Sequence, residues 1–231
     1  MTGDVKPGLE ILYQSMDLLA INKPSGISLL ADRSGAPCLW DQLREHLALE
    51  GLEPLSVHRI DKGTSGVLLV ALSRARQAEL TRAFQHRSVR KFYLARVVGD
   101  LDGRGTTCRI DLPLVKGRKS RYRVAGPRER IIRGKTDWTL NVRAAAGHAS
   151  TTRLRRIGGD TRHTLLALQP LTGRTHQLRV HLAWIGHPIV GDTTRGGREH
   201  ERLCLHAYSL AFPHPPDQEM LKFESQIEFG V

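Results

Sequence analysis

Cysteine is scarce in this chain. The three present, Cys38, Cys108 and Cys204, are odd in number, far apart and outside any CxxC pattern, which excludes a disulfide framework and a cysteine-ligated zinc site and leaves them as core thiols. Long apolar runs are missing too: the longest fall well short of the roughly 20 residues of a spanning helix, and Met1-Thr2-Gly3-Asp4 has no signal-peptide layout. The expectation is a cytoplasmic protein with no membrane partner. Acidic residues are in deficit, 23 Asp and Glu against 35 Lys and Arg, which leaves a formal charge of +12 and points to a polyanionic partner. No GxSxG elbow or GxGxxG fingerprint occurs, so serine hydrolase and dinucleotide readings have no anchor. Gly134-Lys135-Thr136 resembles the end of a phosphate loop, but Glu129 stands where its first glycine should be.

What is present suits a globular protein. A chain of 231 residues, 40% apolar and 25% charged, can build one large core or two small lobes without staples. Residues 9 to 23 read as a hairpin stopped by Lys23-Pro24-Ser25-Gly26. Trp40, Leu43 and Leu47 recur at helical intervals and predict a helix over 38 to 49, closed by Gly51. A strand is predicted at 67 to 72. Ser73 then caps a helix to about 86, with Ala75, Ala78 and Phe84 inward and Arg74, Arg76, Arg82 and Arg87 solvated. Alternation over 91 to 98 puts Lys91, Tyr93 and Ala95 on one face. Short strands are predicted at 108 to 114, 120 to 125, 136 to 143, 150 to 157, 163 to 170 and 203 to 212, and a tail near 220 to 229. A helix from about 174 to 185 aligns Arg174 with Leu178 and Ile185. Many strands and few helices, without repeats or long linkers, indicate an α+β domain spanning 1 to 231. Of the eleven histidines, His176 and His181 are five apart and share no helix face, so no metal is expected.

The most informative stretch is His58-Arg59-Ile60-Asp61-Lys62-Gly63-Thr64-Ser65-Gly66, followed directly by Val67-Leu68-Leu69-Val70-Ala71-Leu72. It sets a carboxylate beside cations on a glycine-bounded turn that feeds a buried strand. In isolation Asp61 could simply cap a turn and pair with Arg59. Further segments follow in order, however: Ile11-Leu12-Tyr13, Asp17 through Gly26, Lys91-Phe92-Tyr93-Leu94-Ala95, Leu171-Thr172-Gly173-Arg174-Thr175-His176-Gln177-Leu178-Arg179-Val180-His181-Leu182, Gly186 through Asp192, and Leu205-His206-Ala207. Together they resemble the RluA family of RNA pseudouridine synthases over residues 10 to about 229.

The resemblance implies a mixed, mostly antiparallel central sheet flanked by helices with a central RNA-binding cleft. It also implies an isomerase that turns specific uridines into pseudouridine in large-subunit ribosomal RNA, transfer RNA or both. That reaction breaks the bond from ribose to base nitrogen, turns the base and rejoins it through carbon, with no redox change and no outside donor, so no cofactor is expected. Asp61 matches the catalytic aspartate, which attacks the sugar or removes a ribose proton. Arg174 matches the cation that keeps that carboxylate charged. Tyr93 would stack on the target base and take part in the late proton removal. Arg59 matches the residue of base flipping, and Leu178 the apolar wall opposite Tyr93. Lys23, in the NKPxG segment, is counted on the substrate side, shaping the site more than doing chemistry. His58, His176 and His206 are structural in this reading. The +12 balance would neutralise phosphates, and unpaired loop bases would supply selectivity.

The chain departs from the family pattern at Gly63, often acidic in relatives, at His148, often lysine, and at Arg195, often tyrosine; these touch RNA contacts and no catalytic group. No S4-type RNA-binding domain is expected, and a monomer is. The competing classes are a non-catalytic RNA-binding or ribosome-assembly factor that retains the fold, and a glycosidase-like enzyme that would release free uracil.

Overall fold

The apolar run after Gly66 becomes a strand buried along its whole length in the computed structural model of the chain. The structure describes residues 9–31, 35–101, 106–117, 121–141, 147–214, 219–227 and 229; the expectations for residues 1–4, and parts of those for 120–125, 136–143 and the tail, lie outside them. Two units are formed, Met1–Val89 with Ser209–Gln226, and Arg90–Tyr208 with Ile227–Val231.

In the first unit β1 (Glu10–Gln14) pairs antiparallel with β2 (Leu18–Lys23). Helix α1 (Leu39–Ala48) and the short β3 (Leu55–Ser56) follow, then β4 (Ser65–Ala71), antiparallel to both β2 and β3, and α2 (Arg74–Gln85). The end of the chain returns with residues of the strand Leu205–His214 from Ser209 on, paired with Glu219–Glu224. Period-two alternation divides β2 and β4 between two cores. Leu19, Ile21, Leu68 and Val70 pack with Trp40, Leu43 and Leu47 of α1. Leu18, Ala20, Val67 and Leu69 pack with Leu80 of α2 and with Phe212 and Phe223. A strand covered on both faces has no polar side, which is why its sequence shows no alternation.

Ser73 accepts a hydrogen bond from the Arg76 amide and caps α2 as expected. The predicted inward face holds only for Phe84, which is half-buried against the core: Ala75 and Ala78 are exposed and Leu80 is the buried anchor. The reason is Arg76, whose side chain is only 11% exposed and is drawn in by Asp17 at 2.8 Å and Glu79 at 2.7 Å. Asp17, outside the helix, holds the Arg76 side inward in place of the weak alanine stripe.

The second unit holds β5 (Arg90–Val98), β6 (Thr107–Asp111), β7 (Leu114–Lys116), β8 (Tyr122–Val124), β9 (Ile131–Arg133), β10 (Asp137–Leu140), β11 (Thr151–Gly159), β12 (His163–Pro170) and α3 (Gln177–Trp184). Its sheet runs β5-β12-β11-β6-β10-β9, antiparallel except for β6 with β10, and β7 and β8 form a separate hairpin. The α+β class and the mixed, mostly antiparallel sheet are as expected. Gly134-Lys135-Thr136 is the turn from β9 to β10, closed by the Gly134 amide on the Asp137 carbonyl at 2.8 Å. One face of the sheet, through Ala95, Leu154, Leu166 and Leu168, packs under Leu178 and Leu182 of α3. Tyr93, opposite Leu168, lies on that same face.

Candidate active site

In the first unit Asp61 sits on a turn between Ile60, buried in the α1 core, and the start of β4. The turn is closed by the Thr64 amide on the Asp61 carbonyl at 3.0 Å. It is clamped from the end of β2. The Lys23 ammonium, fully buried, donates to the carbonyls of Pro24 (2.8 Å), Ile27 (2.9 Å) and Lys62 (3.2 Å). The Gly26 amide adds a second bond to Lys62 at 2.9 Å, and the Ser25 hydroxyl donates to the Gly63 carbonyl at 2.7 Å. Gly26 has φ +88°, a conformation that side chains rarely adopt. Segment 23–26 therefore grips residues 62 and 63 through their backbone carbonyls, a contact that uses no side chain at 63. Lys23 lies beneath the turn and bonds its backbone at Lys62. His58 is structural here: its Nε2 accepts from the Leu69 amide at 2.9 Å and its ring stacks on Phe84 with centroids 4.6 Å apart. Arg59 is exposed and Asp61 half-buried.

In the second unit Arg174 is not the first turn of a helix, as its spacing suggested. Helix α3 begins at Gln177, after His176 in the left-handed region at φ +56°. Arg174 lies in the turn before it, where its carbonyl accepts from the Gln177 amide at 3.0 Å and its amide donates to Gln177 Oε1 at 3.1 Å. A non-glycine residue at positive φ costs on the order of 1–3 kcal/mol and persists only where surrounding structure imposes it. The turn before α3 is held by Gln177, 3% exposed, which sequence reasoning did not single out. The Arg174 Nε is buried with no hydrogen-bond partner among the described residues. Tyr93 is half-buried, and Leu178 is part of the core under α3. Lys91 shares the Tyr93 face of β5. Burial pushes its ammonium below the usual lysine range, and a methyl group at Gly173 would stand 3.4 Å from its Nζ. The alternation Lys91-Phe92-Tyr93 and the place of Lys91 in a family segment were the signals for it.

Beyond α3, Asp192 is buried and held by a bidentate pair from Arg179 at 2.7 and 2.9 Å, with Thr194 donating at 2.8 Å. Burial pushes its carboxyl up, yet the hydrogen bonds and charge of Arg179 bring it below the ordinary value. Gly191 cannot change there, because a Cβ would stand 2.0 Å from the Arg202 carbonyl oxygen. His206 is 2% exposed, against Phe229, and has a structural place.

A family model described as RNA pseudouridylate synthase matches residues 17–184, which include the Asp61 turn, Tyr93, Arg174 and Leu178. The chain belongs to the RNA pseudouridylate synthase family. This synthase is 35% identical over 232 residues to the dual-specificity RNA pseudouridine synthase RluA of Haemophilus ducreyi, covering 97% of this chain and 96% of that one. To the protein of the same name from Pasteurella multocida it is 36% identical over 234 residues, with 99% and 97% covered. The solved structure titled human RNA pseudouridylate synthase domain containing 1 superposes with a TM-score of 0.75 at 29% identity, covering 95% of this synthase and 83% of that chain. As a member of this family the synthase is an isomerase that converts uridine in RNA to pseudouridine.

Proposed function

We propose that this synthase modifies both ribosomal and transfer RNA, and that six residues carry the reaction in distinct roles. The dual-specificity name of its relatives, at 35–36% identity over nearly the whole of each chain, is the observation that carries the breadth of substrate. Asp61 is the group that attacks the ribose or removes its proton, and Arg174 supplies the cation that favours its charged form. Tyr93 stacks on the uracil and serves the final proton removal, with Leu178 as apolar support. Arg59, exposed beside Asp61, drives the flipping of the nucleotide, which must leave its stack to be reached. Lys23 sets the backbone on which Asp61 is carried. Rigid capture of that backbone supports the assignment, because a 1 Å misplacement of a reacting group can cost about 100-fold in rate.

The synthase works as a monomer in the cytoplasm in this proposal; among the described residues no helix is long and apolar enough to cross a membrane. The test is tritium release from RNA labelled at uracil carbon 5, on unmodified transfer and ribosomal RNA transcripts, with wild type and Asp61→Asn side by side. Release from both RNAs by wild type alone, without free uracil, is expected. Release from one RNA class would refute the double specificity, and release by Asp61→Asn would refute the role of Asp61.

A further inference from the structure

A line of buried hydrogen bonds runs beneath the Arg174 turn, and its polarity can be worked out from one end. His181 is fully buried, and its Nε2 lies 2.9 Å from the Leu112 carbonyl oxygen, which can only accept, so the proton sits on Nε2. Its Nδ1 must then accept, and the Thr152 hydroxyl donates to it at 3.0 Å. That hydroxyl oxygen accepts from Gln177 Nε2 at 3.1 Å, and the same amide nitrogen donates to the Thr151 carbonyl at 3.0 Å. With both amide hydrogens used, Gln177 Oε1 accepts from the Thr172 hydroxyl at 2.7 Å and from the Arg174 amide at 3.1 Å. The Thr172 oxygen in turn accepts from the Thr151 amide at 3.0 Å. Each donor has one acceptor, and no group can be reversed without leaving another unsatisfied.

We infer that Gln177, oriented by Thr172, Thr152 and His181, is the positioning residue that sets the Arg174 backbone, and with it the guanidinium, for the isomerisation. The inference rests on the proposed role of Arg174. Gln177 takes both backbone groups of Arg174, and the left-handed His176 between them leaves that turn no helical ladder of its own. Loss of the Gln177 side chain releases the Arg174 amide, while the Arg174 carbonyl keeps its bond to the Gln177 backbone amide. The consequence belongs to the rate of the bound complex and not to RNA affinity, which rests on many phosphate contacts.

The experiment measures single-turnover rates at saturating RNA, RNA affinity and melting temperature for Gln177→Met, Thr172→Val, Thr172→Ser and Arg174→Ala, and for the double variant of Gln177 and Arg174. Thr164→Val is the stability control: Thr164 is equally buried in the same unit, where it donates to the Gly99 carbonyl and accepts from the Leu101 amide, away from the turn. Gln177→Met and Thr172→Val should slow turnover by about 10- to 100-fold with RNA affinity within about 3-fold. Thr172→Ser, which keeps the hydroxyl, should restore most of the rate, and the double variant should be no slower than Arg174→Ala alone. A Thr164→Val protein that is equally slow at an equal loss of melting temperature would overturn the inference, as would additive losses in the double variant. If Arg174→Ala is inactive while the Gln177 and Thr172 variants match wild type, only the positioning role fails. If Arg174→Ala is fully active, the proposed role of Arg174 fails, and the inference with it.

Discussion

Acidification should destabilise the second unit through His181, because protonation turns the acceptor of the Thr152 hydroxyl into a donor that faces it. Nδ1 faces a Thr152 hydroxyl whose oxygen already receives the Gln177 amide, and Nε2 already donates to Leu112. Burial is the main cause of a pKa lowered from 6.5 to about 4, offset in part by the Leu112 carbonyl and the charge of Asp111. Between those two values the unfolded chain binds the proton and the folded one does not. Stability is therefore fully present above pH 6.5 and is lost as pH falls toward 4. The separation corresponds to about 3 kcal/mol in total, of which about 2 kcal/mol is gone by about pH 5. Urea unfolding of wild type and His181→Gln at about pH 7.5 and about pH 5 measures it, since glutamine does not titrate. Taking the difference between the two proteins removes the contribution of Asp192, whose lowered carboxyl also loses stability on acidification, and of His163, lowered chiefly by burial. Wild type should lose about 2 kcal/mol more than the variant. Equal pH slopes, or a His181 imidazole that titrates near 6.5 by NMR, would refute the reasoning.

Three further outcomes are expected. Lys23→Met strips three carbonyls of a buried donor and should cost about 3 kcal/mol or more by urea unfolding, with turnover lost even where the fold persists; a stable, active variant would show that the clamp is dispensable. Asp192→Asn removes the charge from the buried bidentate pair with Arg179 and should cost about 3–5 kcal/mol, read by thermal melting. Tyr93→Phe should slow single-turnover conversion far more than it weakens RNA binding, and an unchanged rate would exclude a role for the hydroxyl.

Most of the scaffold was legible in the sequence because its signals are local. The unbroken apolar run of β4, the spacing of Trp40, Leu43 and Leu47, and the Ser73 cap each depend on near neighbours, and each took the expected form. The family motifs located the Asp61 turn. Failures occurred where a distant partner decided the outcome. The face of α2 was set by Asp17, 59 residues from Arg76, and not by its alanines. The start of α3 differs because Arg174, Leu178 and Ile185 have helical spacing, whereas the chain passes through a left-handed His176 and the Arg174 amide is held by a Gln177 side chain with partners on β11. No local propensity encodes that dependence.

The Asp61 and Arg174 turns share a construction, and it explains why they are built from buried polar groups. A loop outside the sheet ladder exposes backbone carbonyls and amides that must find partners if they are to be held still. Lys23 meets this need in one unit with three donors on one ammonium, and Gln177 meets it in the other with a donor pair and an acceptor on one amide. Burying such groups is costly unless every bond is made, and that requirement removes alternative geometries. An apolar residue at either position could fill the space but would leave the loop free among several conformations. If these turns carry the proposed carboxylate and cation, each needs its single conformation more than it needs stability, so these two polar side chains stand where apolar ones would otherwise continue.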